Sequence, residues 1–349
     1  MPPQVHNATA HSDIVVELQD VHKVFRQRQR SSRLSETIRH MFKPRIREVR
    51  ALQGVSMQIR RGEIVAYAGP NGAGKSTTIK LLSGLLAPNA GRVRALGFDP
   101  INERVQYVKR IGVVFGQRSE LWYDHPVAAS YEWKRVVWDI PQDRFARTQK
   151  RLIEVLGLEE FFHSLARELS LGQRMRAELG LALLHEPELL FLDEPTIGLD
   201  VLSKRMMLDF VKELNRKQQV TVMITSHDMA ELEQLAGRMV MIDHGKVAFD
   251  GPFEQLRQTM SDGRRLIIET SDETAPSLEG AELIESQARR HEYRFDASQI
   301  KIVDLLNQAA KQTSIIDVET VRAPIDEVIA NIYQSWRKPK EVLELEEAL

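Results

Sequence analysis

Cysteine is absent from all 349 residues. That excludes disulfides, cysteine-ligated zinc, iron–sulfur clusters and thiol catalysis. An excess of one charge is absent too: 48 Lys and Arg face 49 Asp and Glu, a net charge of -1. Whole-chain electrostatics therefore gives no reason to expect nucleic acid as a partner. Long apolar runs are missing as well. The longest stretch without Asp, Glu, Lys or Arg runs from Met1 to Ser12, too short and too polar to cross a bilayer. The same start lacks the apolar core of a signal peptide, which points to the cytoplasm and leaves a membrane-bound partner open. What is present is an ordinary globular composition, 42% hydrophobic and 28% charged, long enough for one large domain or two smaller ones.

Along the chain, residues 1–13 read as a loose tail. Ile14 to Leu18 reads as a strand, with a second short apolar segment at Val21 to Phe25. Val55 to Ile59 alternates as a half-buried strand does, and Ile64 to Ala68 is an apolar run that suits a buried one. Thr77 to Leu86 reads as a helix, and residues 126–168 as helical with a break at Gly157. Leu189 to Leu192 and Val220 to Thr225 are further short buried strands. Strands alternating with helices imply an α/β fold with a mostly parallel sheet. After about residue 260 the pattern changes: Arg265 to Thr270, His291 to Asp296 and Ile315 to Thr320 read as strands, with helical stretches near 299–311 and 325–336. This predicts a small α+β appendage. Ile325, Val328, Ile329, Ile332 and Tyr333 share one face of its last helix, a stripe suited to core or dimer contact.

The chemistry begins at Gly69-Pro70-Asn71-Gly72-Ala73-Gly74-Lys75-Ser76, followed by Thr77. This is the G-x-x-x-x-G-K-[ST] pattern, placed between a strand and a helix. Glycines let the backbone curl so that its N–H groups point at phosphate oxygens, and the helix start adds positive partial charge. Lys75 is expected to reach the β- and γ-phosphates, and the Ser76 hydroxyl to ligate magnesium. Asp193 closes the apolar run Leu189 to Leu192 and is the candidate carboxylate for the metal. Glu194 follows and is placed to polarise an attacking water, although an acid at a strand end can also be a plain surface charge.

Three more segments narrow the field. Gln117 lies 42 residues after Lys75, Ser170 lies 23 before Asp193 in Leu169-Ser170-Leu171-Gly172-Gln173, and His227 lies 33 after Glu194. With Gly198-Leu199-Asp200 they form an ordered set that resembles the ATP-binding subunits of ABC transporters, over roughly residues 14–255. The resemblance implies a P-loop NTPase of ABC type, residues 14–257, with an inserted helical subdomain at 118–170 and a C-terminal accessory domain at 258–349. It implies ATP and Mg2+ as ligands. Ser170, Gly172 and Gln173 match the segment that contacts ATP held by the phosphate loop of a second, facing subunit, and Asp200 the loop that communicates across that dimer. Gln117 matches the residue that senses magnesium and the attacking water, and His227 the one that contacts the γ-phosphate. Phe25 falls where the family places an aromatic on adenine, and also fits as a strand-end core residue. Leu171 departs from the family, which usually has glycine there.

The wording around Phe115-Gly116-Gln117-Arg118-Ser119-Glu120-Leu121-Trp122 looks like ATPases of type-2 ABC exporters. The expected function is an ATP-hydrolysing subunit that dimerises around two ATP and drives export by a separate membrane permease, from the cytoplasmic face of the membrane. An importer ATPase shares the catalytic motifs, and a non-transport ABC ATPase is a third class. Trp122 and Tyr123 are candidates for docking the permease, or for packing inside the helical subdomain. Residues 26–50 form a basic insertion: Arg26, Arg28, Arg30, Arg33, Arg39, Lys43, Arg45, Arg47 and Arg50 against Glu36 and Glu48. Leu34, Ile38, Met41 and Phe42 there predict a short amphipathic helix ending near Pro44. Such a segment can touch anionic lipid, or stand as a solvated loop.

Overall fold

The structure is a computed structural model and describes residues 13–28, 46–116, 118–259, 263–296, 299–322, 325–330 and 332–333. The described residues fall into two compact units: those within 1–227 and 234–250, and those within 228–233 and 251–349.

The first unit holds two sheets. In the smaller, β1 (Ile14–Arg28) pairs antiparallel with both β2 (Ile46–Arg60) and a strand at Ala90–Ala95. The sequence predicted two short segments where β1 is one continuous strand. Its apolar alternation is broken because bulges shift the register between Leu18 and Val21 and again nearby. Past His22, β1 continues with β2 alone, ending in Arg26↔Glu48 and Arg28↔Ile46. Arg26, Arg28, Arg47 and Arg50, from the two ends of the basic segment 26–50, therefore lie on paired strands. The helix predicted around Leu34 to Phe42 lies outside the described residues.

The larger sheet uses β3 (Ile64–Ala68), β4 (Ile111–Phe115), β5 (Leu189–Asp193), β6 (Thr221–Thr225), β7 (Arg238–Asp243) and β8 (Lys246–Pro252), in the order β4-β5-β6-β3-β7-β8. The first five are parallel. Every residue of β3, β5 and β6 is buried, as expected of parallel strands covered on both faces. One core joins the two sheets: Val16, Leu18, Val55 and Ile59 pack with Val65, Tyr67, Phe191 and Val240 around Ile79 and Leu82. Those last two lie on or at the end of helix α1 (Lys75–Leu82), which starts and stops earlier than the predicted 77–86. Residues 126–168 resolve into α2 (Val127–Val137) and α3 (Gln142–Leu156), then turns that lead to α4 (Leu171–Leu183). The helix α5 (Val201–Gln218) follows β5.

The second unit contains a four-stranded antiparallel sheet, Gly263–Thr270, Ala281–Gln287, Arg290–Asp296 and Ile315–Arg322, with the helix Ile302–Ala310. Its core is Leu266, Ile268, Leu278, Tyr293, Phe295, Leu305 and Ala309. The strand Ala281–Gln287 was not legible, because it is an exposed edge held by backbone pairing and bulged between Leu283 and Glu285. Residues 325–330 and 332–333 are helical, and Ile325, Val328, Ile329 and Ile332 are buried.

Candidate functional site

Strand order assembles the site. β5, β6 and β3 are neighbours, so their carboxyl ends release Asp193-Glu194, Ser226-His227 and the loop 69–76 at one edge of the sheet. Ligands of open α/β sheets bind at that edge.

The loop is held by its own backbone. Ala73 N–H donates to the Pro70 carbonyl at 3.1 Å, and Gly245 N–H donates to the Ala73 carbonyl at 2.9 Å. Gly74 caps α1 at a φ of 118°, and a Cβ there would meet the Ala51 carbonyl oxygen at 2.7 Å. At Gly69 a Cβ would meet the Ile242 carbonyl oxygen at 2.2 Å. Only glycine lets the chain turn this tightly against its neighbours. Lys75 is 6% exposed and its ammonium donates to the Gly69 carbonyl at 2.7 Å. Burial pushes its pKa down, while the carboxylates of Glu194 and Asp193 pull it back up.

Facing the loop, the Ser76 hydroxyl donates to Asp193 Oδ1 at 3.3 Å. Glu194 takes a left-handed backbone with φ of 55°, and its Oε1 lies 2.8 Å from His227 Nε2. Gly116 N–H donates to the Asp193 carbonyl at 2.8 Å, and a Cβ at Gly116 would meet the Glu194 carbonyl oxygen at 2.2 Å. Gly116 is thus packed against the acidic pair, and Gln117 lies outside the described residues. A hydroxyl and a carboxylate beside a buried ammonium are the hard-oxygen donors and the anion-seeking cation that a magnesium–triphosphate needs. Among the described residues no cluster of three or more His, Asp and Glu could hold a metal alone.

Other candidates lie on other elements. Ser170 caps α4: its Oγ accepts from Gln173 N–H at 3.2 Å, and Gln173 Oε1 accepts from Ser170 N–H at 2.9 Å. Asp200 caps α5, accepting from Ser203 N–H at 2.9 Å and from Ser203 Oγ at 2.6 Å. A Cβ on Gly198 would meet Leu171 Cδ2 at 2.6 Å, so the departing leucine packs over the chain leading to Asp200. Phe25 is half-buried on β1 opposite Val49, with the Lys23 ammonium 5.4 Å from its ring centroid. Trp122 packs on Trp133 and His125, with ring centroids 5.6 Å and 5.2 Å away, while Tyr123 is 70% exposed.

Two residues were missed by sequence reasoning. Thr225 reads as β-branched strand filler, yet its hydroxyl donates to Asp193 Oδ1 at 2.9 Å. Glu178 reads as a helix surface acid, yet it is buried and accepts from the Ser119 hydroxyl and from Glu120 N–H at 3.0 Å. Burial raises its pKa. An acid at position 178 flanked by apolar residues was the available signal.

Comparison with known proteins points to one family. The family description "ABC transporter" matches residues 52–197. The ABC transporter ATP-binding protein NatA of Bacillus subtilis is 29% identical over 62% of this chain and 88% of its own. A fluoroquinolones export ATP-binding protein of Mycobacterium tuberculosis is 37% identical over 58% of this chain and 66% of its own. A solved dimeric post-hydrolysis state of an ATP-binding cassette, bound to ADP and Pi, shares the fold with a TM-score of 0.57. It is 23% identical and covers 68% of this chain and 98% of that one. No helix among the described residues is long and apolar enough to cross a membrane. With the phosphate loop, the acidic pair and the histidine at one sheet edge, the chain belongs to the ABC transporter family as an ATP-hydrolysing, ATP-binding subunit.

Proposed function

We propose that this subunit dimerises around two ATP and drives export through a separate permease, with Glu194 as the general base. The observation that carries the catalytic assignment is the 2.8 Å contact between Glu194 Oε1 and His227 Nε2, beside Lys75 and Asp193. Residues 69–77 cradle the phosphates through backbone N–H groups, and Lys75 binds the β- and γ-phosphates. Ser76, Asp193 and Gln117 hold Mg2+, which when bound neutralises phosphate charge. Glu194 accepts the proton of the attacking water, and His227, with its proton on Nε2, holds that carboxylate in place. Phe25 stacks on adenine. Ser170, Gly172, Gln173 and Asp200 meet the nucleotide of the facing subunit.

The ATP-binding domain is assigned to residues 14–257 and the accessory domain to 258–349. The permease recruits the subunit to the cytoplasmic face of the membrane, with Tyr123 as an exposed docking contact and the arginines of 26–50 against anionic lipid. Export is supported by the likeness to a fluoroquinolones export protein. The pairing is tested by size-exclusion chromatography of Glu194→Gln, which retains ATP: the dimer should appear with ATP and magnesium and vanish without them. Elution as a monomer in both conditions would remove the shared-nucleotide reading.

A further inference from the structure

Thr225 ends β6 directly opposite Asp193, the last residue of β5, in the parallel register. Its side chain is fully buried. Two contacts fix the role of its hydroxyl. Glu194 N–H donates to Thr225 Oγ1 at 2.9 Å and to the Thr225 carbonyl at 3.2 Å. The hydroxyl's own proton is then directed to Asp193 Oδ1, 2.9 Å away, since an ionised carboxylate can only accept. Ser76 Oγ reaches the same oxygen at 3.3 Å. One buried hydroxyl therefore ties together both members of the acidic pair. It stops the Asp193 carboxylate from rotating. It also anchors the amide of a residue whose φ of 55° is unfavourable for any side chain but glycine.

We propose that Thr225 is a positioning residue, which orients the Asp193 carboxylate for the divalent cation and holds the Glu194 backbone in its left-handed turn. The inference rests on the reading of Asp193 as the magnesium carboxylate. Groups behind a metal ligand typically change metal affinity or activity about 10- to 100-fold when removed. A hydroxyl in this place is such a group. Valine keeps the β-branched shape and removes only the hydroxyl.

The test is Mn2+ binding by electron paramagnetic resonance on the full chain, with a non-hydrolysable ATP analogue. Nucleotide affinity in EDTA is measured alongside. Thr225→Val should weaken Mn2+ binding about 10- to 100-fold and leave metal-free nucleotide binding unchanged. Thr225→Ser, which restores the hydroxyl, should bind as the parent does. If circular dichroism shows that the valine variant does not fold, Thr225→Ala is read in its place. Parent-like Mn2+ affinity in Thr225→Val, or a serine variant as weak as the valine one, overturns the proposal. Asp193→Asn separates the two layers. If it binds Mn2+ like the parent, the metal assignment itself fails. If it loses Mn2+ while Thr225→Val does not, only the role of Thr225 fails.

Discussion

His185 illustrates what one buried side chain does to the pH response. It is 7% exposed, its Nε2 faces the Ile111 carbonyl at 2.8 Å, and its ring lies 5.9 Å from that of Trp138. Burial lowers its pKa to about 4, helped by the charges of Lys134 and Arg144 and opposed by the Ile111 hydrogen bond. The unfolded chain takes up this proton near the ordinary histidine value of 6.5, the folded chain only near 4. Its cost is therefore absent above pH 6.5 and grows as pH falls through that window, to about 3 kcal/mol at most. His185→Gln keeps a donor for Ile111 and cannot protonate. The parent's urea midpoint should fall relative to the variant's as pH falls from 7 toward 4.5, and parallel curves would contradict the assignment. None of this is legible in the sequence, where His185 is one of 10 histidines. Lys75 and Ser76 stand out as candidates because a phosphate loop has a fixed local pattern, and Asp193 and Glu194 because they close an apolar strand; the structure brings the four together. Thr225 was not, because its role depends on strand register.

At the scale of elements, α4 shows which parts of a helix a sequence reveals. Its start is written in Ser170-x-x-Gln173, a capping-box pattern, and the reciprocal hydrogen bonds are present. Gly180 in its middle is not explained by local rules, since glycine there costs about 1 kcal/mol relative to alanine. The reason is tertiary. Tyr131 on α2 donates its hydroxyl to the Ala177 carbonyl at 3.0 Å, and a Cβ on Gly180 would meet that hydroxyl at 2.1 Å. Gly180→Ala should therefore destabilise the protein by about 1–3 kcal/mol despite alanine's better helix propensity. Adding Tyr131→Phe should recover part of the loss. Thermal denaturation of the single and double variants reads both effects, and a stabilised Gly180→Ala would contradict the close approach. The strand Arg238–Asp243 was missed for a simpler reason: a four-residue apolar run cannot be told from a buried helical segment by periodicity.

For the whole molecule, the alternation of strands and helices was enough to give a parallel α/β sheet, but not its order. The order β4-β5-β6-β3-β7-β8 interleaves early and late strands, and only pairing reveals it. That order makes neighbours of residues more than a hundred positions apart, such as Ser76 and Asp193. The central claim is that this convergence hydrolyses ATP with Glu194 as base. Its most direct test is ATP turnover, measured with ATP affinity, for the parent, Glu194→Gln and Lys75→Ala. Glutamine is nearly isosteric and cannot take the proton, so Glu194→Gln should bind ATP as the parent does and turn over about 100-fold or more slowly. Lys75→Ala should lose affinity instead. Near-parent turnover in Glu194→Gln would contradict the account.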